Sequence, residues 1–238
     1  MEKLLSMEEV INKVKKYTPY IFFDEREPFL PRMVGYTFFG ETAKSSSFNR
    51  IIEVGNFGVS YAIEYAIYWD YDITHLYDLE HFWVFIGKDG EIVDAQGSFH
   101  GKYLTVLMKD RSNIIDDTHV KIYAQPGKHA FSPNPMLFDY VPRIETSTYE
   151  DVGADGLVVT EIIARGRYNT TPEINQAIQR YMQKYKFRPA HNYSRLYHIK
   201  DEELVKWSVL DEKIPVFIKA ELEIIQNLVK HENKTQCI

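Results

Sequence analysis

The chain has 238 residues, 45% apolar and 26% charged, with 34 acidic against 28 basic side chains and a net charge of −6. That is enough sequence for one domain with a sizeable core. The lack of any long Lys/Arg run argues against nucleic acid or an anionic membrane as partner, and no uncharged apolar stretch is long enough for a transmembrane helix.

Tyr, Phe and Trp make up 14% of the chain, a share that favours strands over a simple helical bundle. Cys237 is the single cysteine, so no internal disulfide can form. The opening MEKLLSMEEVINKVKKY lacks the unbroken apolar core of a signal peptide. The expectation is a soluble cytoplasmic protein, with a mature secreted form left open.

In chain order, residues 3–17 predict an amphipathic helix, with Leu4, Leu5, Val10, Ile11 and Val14 at helical spacing and Ser6 and Glu9 placed for a capping box. Residues 19–23 predict a short strand. Residues 24–50, punctuated by Pro28, Pro31, Gly35 and Gly40, read as a loop. Residues 60–72 alternate with period two, Tyr61, Ile63, Tyr65, Ile67 and Trp69 forming one apolar face. Residues 79–86 are apolar on both faces after Glu80, as in a central strand. GKDG at 87–90 is a hairpin signal, followed by a strand over 91–100 that puts Asp94, Gln96, Ser98 and His100 on one face. Residues 119–125 predict another strand. Thr170 and Thr171 before Pro172 open a helix carrying Ile174, Ala177, Ile178 and Tyr181, and a second helix is expected over 215–230, opening with Pro215. The whole reads as one domain over residues 1–238. It is mainly β (α+β): an antiparallel β-sandwich core over 18–133, an N-terminal helix, and a helical C-terminal extension over 165–238.

The chemistry concentrates in DYDITHLYDLEH, residues 70–81. Residues two apart on a strand share a face, so Asp70 and Asp72 end one strand together and Asp78 and Glu80 begin the next, with His75 on the connection at 73–77. In a hairpin the two acid pairs converge. Carboxylates about 4 Å apart at an effective dielectric of about 20 repel by on the order of 4 kcal/mol per contact. Such a group needs a cation or shared protons, and a divalent metal fits that need. The alternative is a solvated acidic turn without metal. His100 in GSFHGKY and His129 in PGKHAF also end strands.

The run AIYWDYDITHLYDLEHFWVFI resembles the central motif of the necrosis- and ethylene-inducing-peptide-like proteins: a Tyr-rich strand, an Asp, then His-x-x-Asp-x-Glu leading into a hydrophobic strand. His75, Asp78 and Glu80 match that spacing, Asp72 stands at the preceding Asp, and GSFHGKY and KHAF resemble the family's later His segments at His100 and His129. KYTPYIFFDEREPFLP, with its acid-x-x-x-Pro from Glu27 to Pro31, resembles the opening of the vacuolar protein sorting-associated protein sixty-two family, which also carries an Asp-x-Glu motif and a late Gly-x-His-Ala. Together the resemblance covers residues 16–133. It implies a β-sandwich with a divalent cation at one end of the sheet, its ligands at Asp72, His75, Asp78 and Glu80, and, in the cytolysin branch, binding of sphingolipid sugar heads. The chain departs from that branch in having Leu79 where the motif has Trp, and in lacking the disulfides.

Three functions are then expected to compete. The first is a divalent-metal-dependent enzyme, most simply a hydrolase, with calcium, magnesium or manganese (zinc or iron with more imidazoles) held by Asp72, His75, Asp78 and Glu80. Glu80 would act as general base, His100 or His129 as general acid, and Lys128 or Lys102 would steady negative charge. The second is a metal-dependent module for a small-molecule, glycan or lipid head-group ligand, with Tyr71, Tyr77, Trp83 and Tyr103 as stacking rings. The third is a purely structural metal. Metal identity, ligand and oligomeric state stay open.

Overall fold

The computed structural model describes residues 5–160 and 167–235, with side chains as far as Leu228. Helix α1 (Met7–Lys16) starts later than the expected residue 3, with Ser6 as its N-cap. The Glu9 amide donates to Ser6 Oγ at 3.2 Å and the Ser6 amide to Glu9 Oε2 at 2.7 Å, closing the capping box.

Strands β1 (Tyr20–Phe23) and β2 (Met33–Phe39) follow, then a short hairpin of β3 (Ala43–Lys44) and β4 (Ile51–Ile52). The long strands β5 (Tyr61–Tyr71) and β6 (His75–Ile86) pair antiparallel, and β7 (Ile92–Phe99) and β8 (Lys102–Thr105) continue beside them. Next come β9 (Ile114–Ile115), β10 (His119–Ala124), β11 (Phe131–Ser132), α2 (Ile144–Tyr149) and β12 (Gly156–Leu157). The chain ends with α3 (Pro172–Met182), β13 (Arg195–His198), β14 (Leu204–Lys206) and α4 (Trp207–Thr235).

The strands form two main sheets. One runs β11-β10-β1-β13, with β9 beside β10; the other runs β14-β2-β5-β6-β7-β8, with β12 beside β6. Ile21, Phe23, Ile122 and Phe131 of the first share one buried apolar cluster with Tyr65, Ile67, Trp69, Phe82 and Val84 of the second. The outward face of the second sheet buries a smaller cluster of Phe39, Ile52, Ala62, Trp83 and Phe85 under the β3–β4 hairpin. Strands β5 and β6 are therefore covered on both sides, as the run 79–86 predicts.

The structure corrects several expectations. The pairs β1–β10, β2–β14 and β6–β12 are parallel, so the sheets are mixed. The segment expected to be a loop over 24–50 contains β2. Its Gly35 allows close packing: a Cβ there would lie 3.0 Å from Leu210 Cδ2 and 3.1 Å from the Trp207 backbone of α4. The C-terminal third is not a purely helical extension, because β13 pairs with β1 and β14 with β2, one strand for each sheet. Pro215 lies inside α4, eight residues after its start. Proline cannot donate to the carbonyl four residues back, and the Arg167 guanidinium takes that Asp211 carbonyl instead, at 2.8 Å.

Gly97 faces the other sheet, where a Cβ would lie 2.8 Å from Phe131 Cβ and 3.1 Å from Val106 Cγ1. Gly97→Ala is expected to wedge the two sheets apart and destabilise the protein by about 1–3 kcal/mol in urea unfolding.

Candidate functional site

The sequence places Asp72, His75, Asp78 and Glu80 near one another, and the structure does gather them at the β5–β6 connection. The connection is shorter than expected. Only residues 72–74 lie between the strands, closed by Asp72 N donating to the His75 carbonyl at 3.0 Å, so His75 opens β6. Because β5 ends at Tyr71, Asp72 escapes the strand alternation and does not share a face with Asp70. Asp70 instead accepts from Arg32 at 2.7 Å, on the side of Glu221 in α4.

The turn 125–130 after β10 supplies the counter-charges. Lys128 Nζ donates to Asp72 at 2.8 Å and to Thr74 Oγ1 at 2.9 Å. Asp72 is 2% exposed and also accepts from the Thr74 amide at 2.6 Å, while His75 Nε2 stands 3.7 Å from its second oxygen. Burial disfavours the Asp72 charge, yet His75 and Lys128 outweigh it and hold the carboxyl below its usual range. Burial likewise opposes the Lys128 ammonium, and Asp72 reverses this and raises its pKa.

His129 has no exposed surface. Its Nδ1 lies 2.9 Å from Asp78 Oδ2, its Nε2 lies 3.6 Å from Glu27 Oε1, and its ring stacks on Trp69 at 4.5 Å between centroids. Burial disfavours the imidazolium, but the hydrogen bond to Asp78 and the nearby Glu27 carboxylate push its pKa up to about 10. Glu27 in turn accepts from the Gly127 amide at 2.7 Å and the Phe29 amide at 3.2 Å. Gly127 has φ +69°, and a Cβ there would meet Ile73 Cβ at 2.8 Å, so only glycine gives this turn its path. His129 itself holds φ +55° and Tyr77 φ +58°, backbone states that non-glycine residues keep only when their surroundings fix them.

Among the described residues no ammonium or guanidinium pairs with Glu80. Its Oε2 receives the Ser98 hydroxyl, and burial followed by the neighbouring Asp78 pushes its pKa up to about 8. His100 sits on the exposed turn between β7 and β8, where its φ of +48° and Gly101's +74° fit a two-residue hairpin. Its Nε2 lies 2.8 Å from Gln125 Oε1. An amide oxygen can only accept, so this nitrogen carries the proton and Nδ1 is left as an acceptor.

Of the three residues expected to be catalytic, Glu80 and His100 keep exposed or half-buried positions, whereas His129 is enclosed and acts by holding Asp78 and Glu27 in place. The four expected metal ligands do not fit a metal as they stand. Lys128 takes Asp72, His129 takes Asp78 and Ser98 takes Glu80. Among the described residues no three His, Cys, Asp or Glu side chains converge as a metal centre requires. Sequence spacing misses Glu27 and Gln125, each far from the 70–81 motif along the chain, and the part played by Trp69, which adjoins the motif but reads as a core residue; the Pro-bounded acid in EREPFLP is the one signal that marks Glu27. The expected stacking rings divide: Tyr71 packs against Phe29 and Tyr185, and Trp83 lies on the outward face of its sheet.

Lys128→Met leaves Asp72 buried without its cation and is expected to cost about 3–5 kcal/mol in urea unfolding at neutral pH. Adding Asp72→Asn should restore part of that loss, which a double-mutant cycle would read directly. The chain matches no protein-family model, no curated protein and no solved structure.

Proposed function

We propose that the protein is a hydrolase whose reacting centre lies at one end of a β-sandwich made by the two sheets, with the Glu80 carboxylic acid as its proton donor. The observation that carries this reading is that Glu80 lies beside Asp78 with the Ser98 hydroxyl as its hydrogen-bond partner, a setting that pushes its pKa up to about 8. At neutral pH such a group is mostly protonated and can pass its proton to the oxygen of a leaving group. Asp72, paired with Lys128, is held below its usual range, and Asp78 is fixed beside Glu80 by His129. The expected role of Glu80 as a base is thereby exchanged for that of an acid. His100 takes the base role through Nδ1, on the turn two residues beyond the Ser98 that holds Glu80. Lys128, with a side chain 20% exposed, would steady negative charge on the substrate.

The substrate class this supports is a small-molecule, glycan or lipid head-group ester or glycoside, whose leaving oxygen needs a proton. The divalent ion expected from the sequence is the other way to balance Glu80 against Asp78. No step is assigned to it, since its donors are already engaged.

Chromogenic glycosides, phosphodiesters and carboxylic esters would be screened with and without chelator. Wild-type kcat/KM is expected to fall as pH rises through about 8, where Glu80 ionises, and Glu80→Gln should lower kcat by about 10²–10⁴. Full turnover by Glu80→Gln would overturn the reading. Activity lost to chelator and restored by magnesium, calcium, manganese or zinc would transfer the role to a metal.

The same titration bears on stability. Glu80 binds its proton more tightly in the folded state (about 8 against an ordinary 4.5), so stability declines as pH rises from 4.5 to about 8. Glu80→Gln is expected to flatten that decline in pH-dependent unfolding.

A further inference from the structure

The face of the second sheet turned away from the acid cluster holds another group of charges. Pairing sets Phe85 beside Asp94 and Trp83 beside Gln96. The chain from Arg50 to Val59 folds over them and encloses a cavity of about 400 Å3. The Arg50 guanidinium lies 4.5 Å from the Trp83 ring and 3.9 Å from the Tyr103 ring. Its Nη2 donates to Gln96 Oε1 at 2.8 Å, and Gln96 Nε2 donates to Asp94 Oδ2 at 2.7 Å.

Arg50 and Asp94 are thus linked through an amide and not by an ion pair recorded among the described residues. Arg50 Nε and Nη1 are buried with no partner. Burial lowers the Arg50 pKa against the pull of Glu64, Asp94 and Glu53, and raises that of Asp94 against the pull of Arg50. No direct ion pair to Arg50 is made by the other two acids among the described residues: Glu64 accepts from Ser47 and Trp83, and Glu53 is exposed at the rim.

A simple anion would meet Arg50 but also Asp94, and a simple cation would meet the reverse. A ligand with both charges a few ångströms apart satisfies both, and the walls contributed by Phe57 and Phe85 are apolar. We propose that this cavity binds a small zwitterion, an α-amino acid with an apolar side chain, its carboxylate on Arg50, its ammonium on Asp94 and its side chain against Phe57 and Phe85. Tyr103, 46% exposed, covers the guanidinium and turns aside on binding.

The full chain would be titrated with leucine, methionine and phenylalanine, followed by calorimetry and by amide NMR signals at residues 50, 94, 96 and 103. Saturable binding is expected. N-acetyl-leucine, lacking the ammonium, and leucinamide, lacking the carboxylate, should each bind at least about tenfold more weakly. Asp94→Asn should weaken leucine by a similar factor. Phe57→Asn, at a position 90% exposed whose left-handed backbone suits Asn, should weaken it with Tm unchanged. The proposal fails if none of the three amino acids gives a saturable response, or if N-acetyl-leucine binds as well as leucine. Stronger binding of phosphate or phosphocholine, or leucine binding indifferent to both variants, would equally overturn it.

Discussion

Two cations in one turn hold this molecule's acids together. Lys128 and His129 are adjacent in sequence, yet they answer four carboxyl groups drawn from separate places: Asp72 and Asp78 around the β5–β6 connection, Glu27 before β2, and at longer range Glu80. The turn that carries them leads from β10 to β11 in one sheet, and the acids they meet belong mostly to the other. A buried charge without a partner is costly, and removing one member of such a set strands the rest. The two sheets are thereby tied at this end by ions as well as by apolar contact. Gly127, with no room for a Cβ, lets the turn come close enough.

This accounts for which parts of the fold are legible in the sequence. Patterns that depend on neighbouring residues are realised: the Ser6–Glu9 cap, the two long strands, the GKDG hairpin, and Thr171 capping the helix at Pro172. Readings that hinge on contacts from a distance go astray. Gly35 looks like a loop residue until α4 is seen against it. Pro215 looks like a helix start until Arg167 is seen to take the carbonyl it frees. Strands β13 and β14 are short, and nothing in their own pattern announces that each completes a sheet begun far earlier.

The site shows the same division. That the acids of DYDITHLYDLEH crowd together, and that crowding demands positive charge, follows from spacing and Coulomb's law. What supplies that charge does not. The ammonium of Lys128 and the imidazolium of His129 arrive from some fifty residues downstream, and Trp69, a core residue by its pattern, provides the ring against which His129 lies. Glu80 differs from its neighbours because His129 acts on it only at longer range and its hydrogen-bond partner is the Ser98 hydroxyl, a difference of three-dimensional arrangement alone.

The placing of β13 and β14 also bears on how the chain is made. While a ribosome is still synthesising the stretch before residue 195, β1 and β2 each lack a lateral neighbour, and the parallel partner of β2 is more than 160 residues away along the chain. Pairings of such long range form slowly and leave open strand margins that invite other chains. Both sheets therefore stay unfinished in the nascent chain until β13 and β14 emerge.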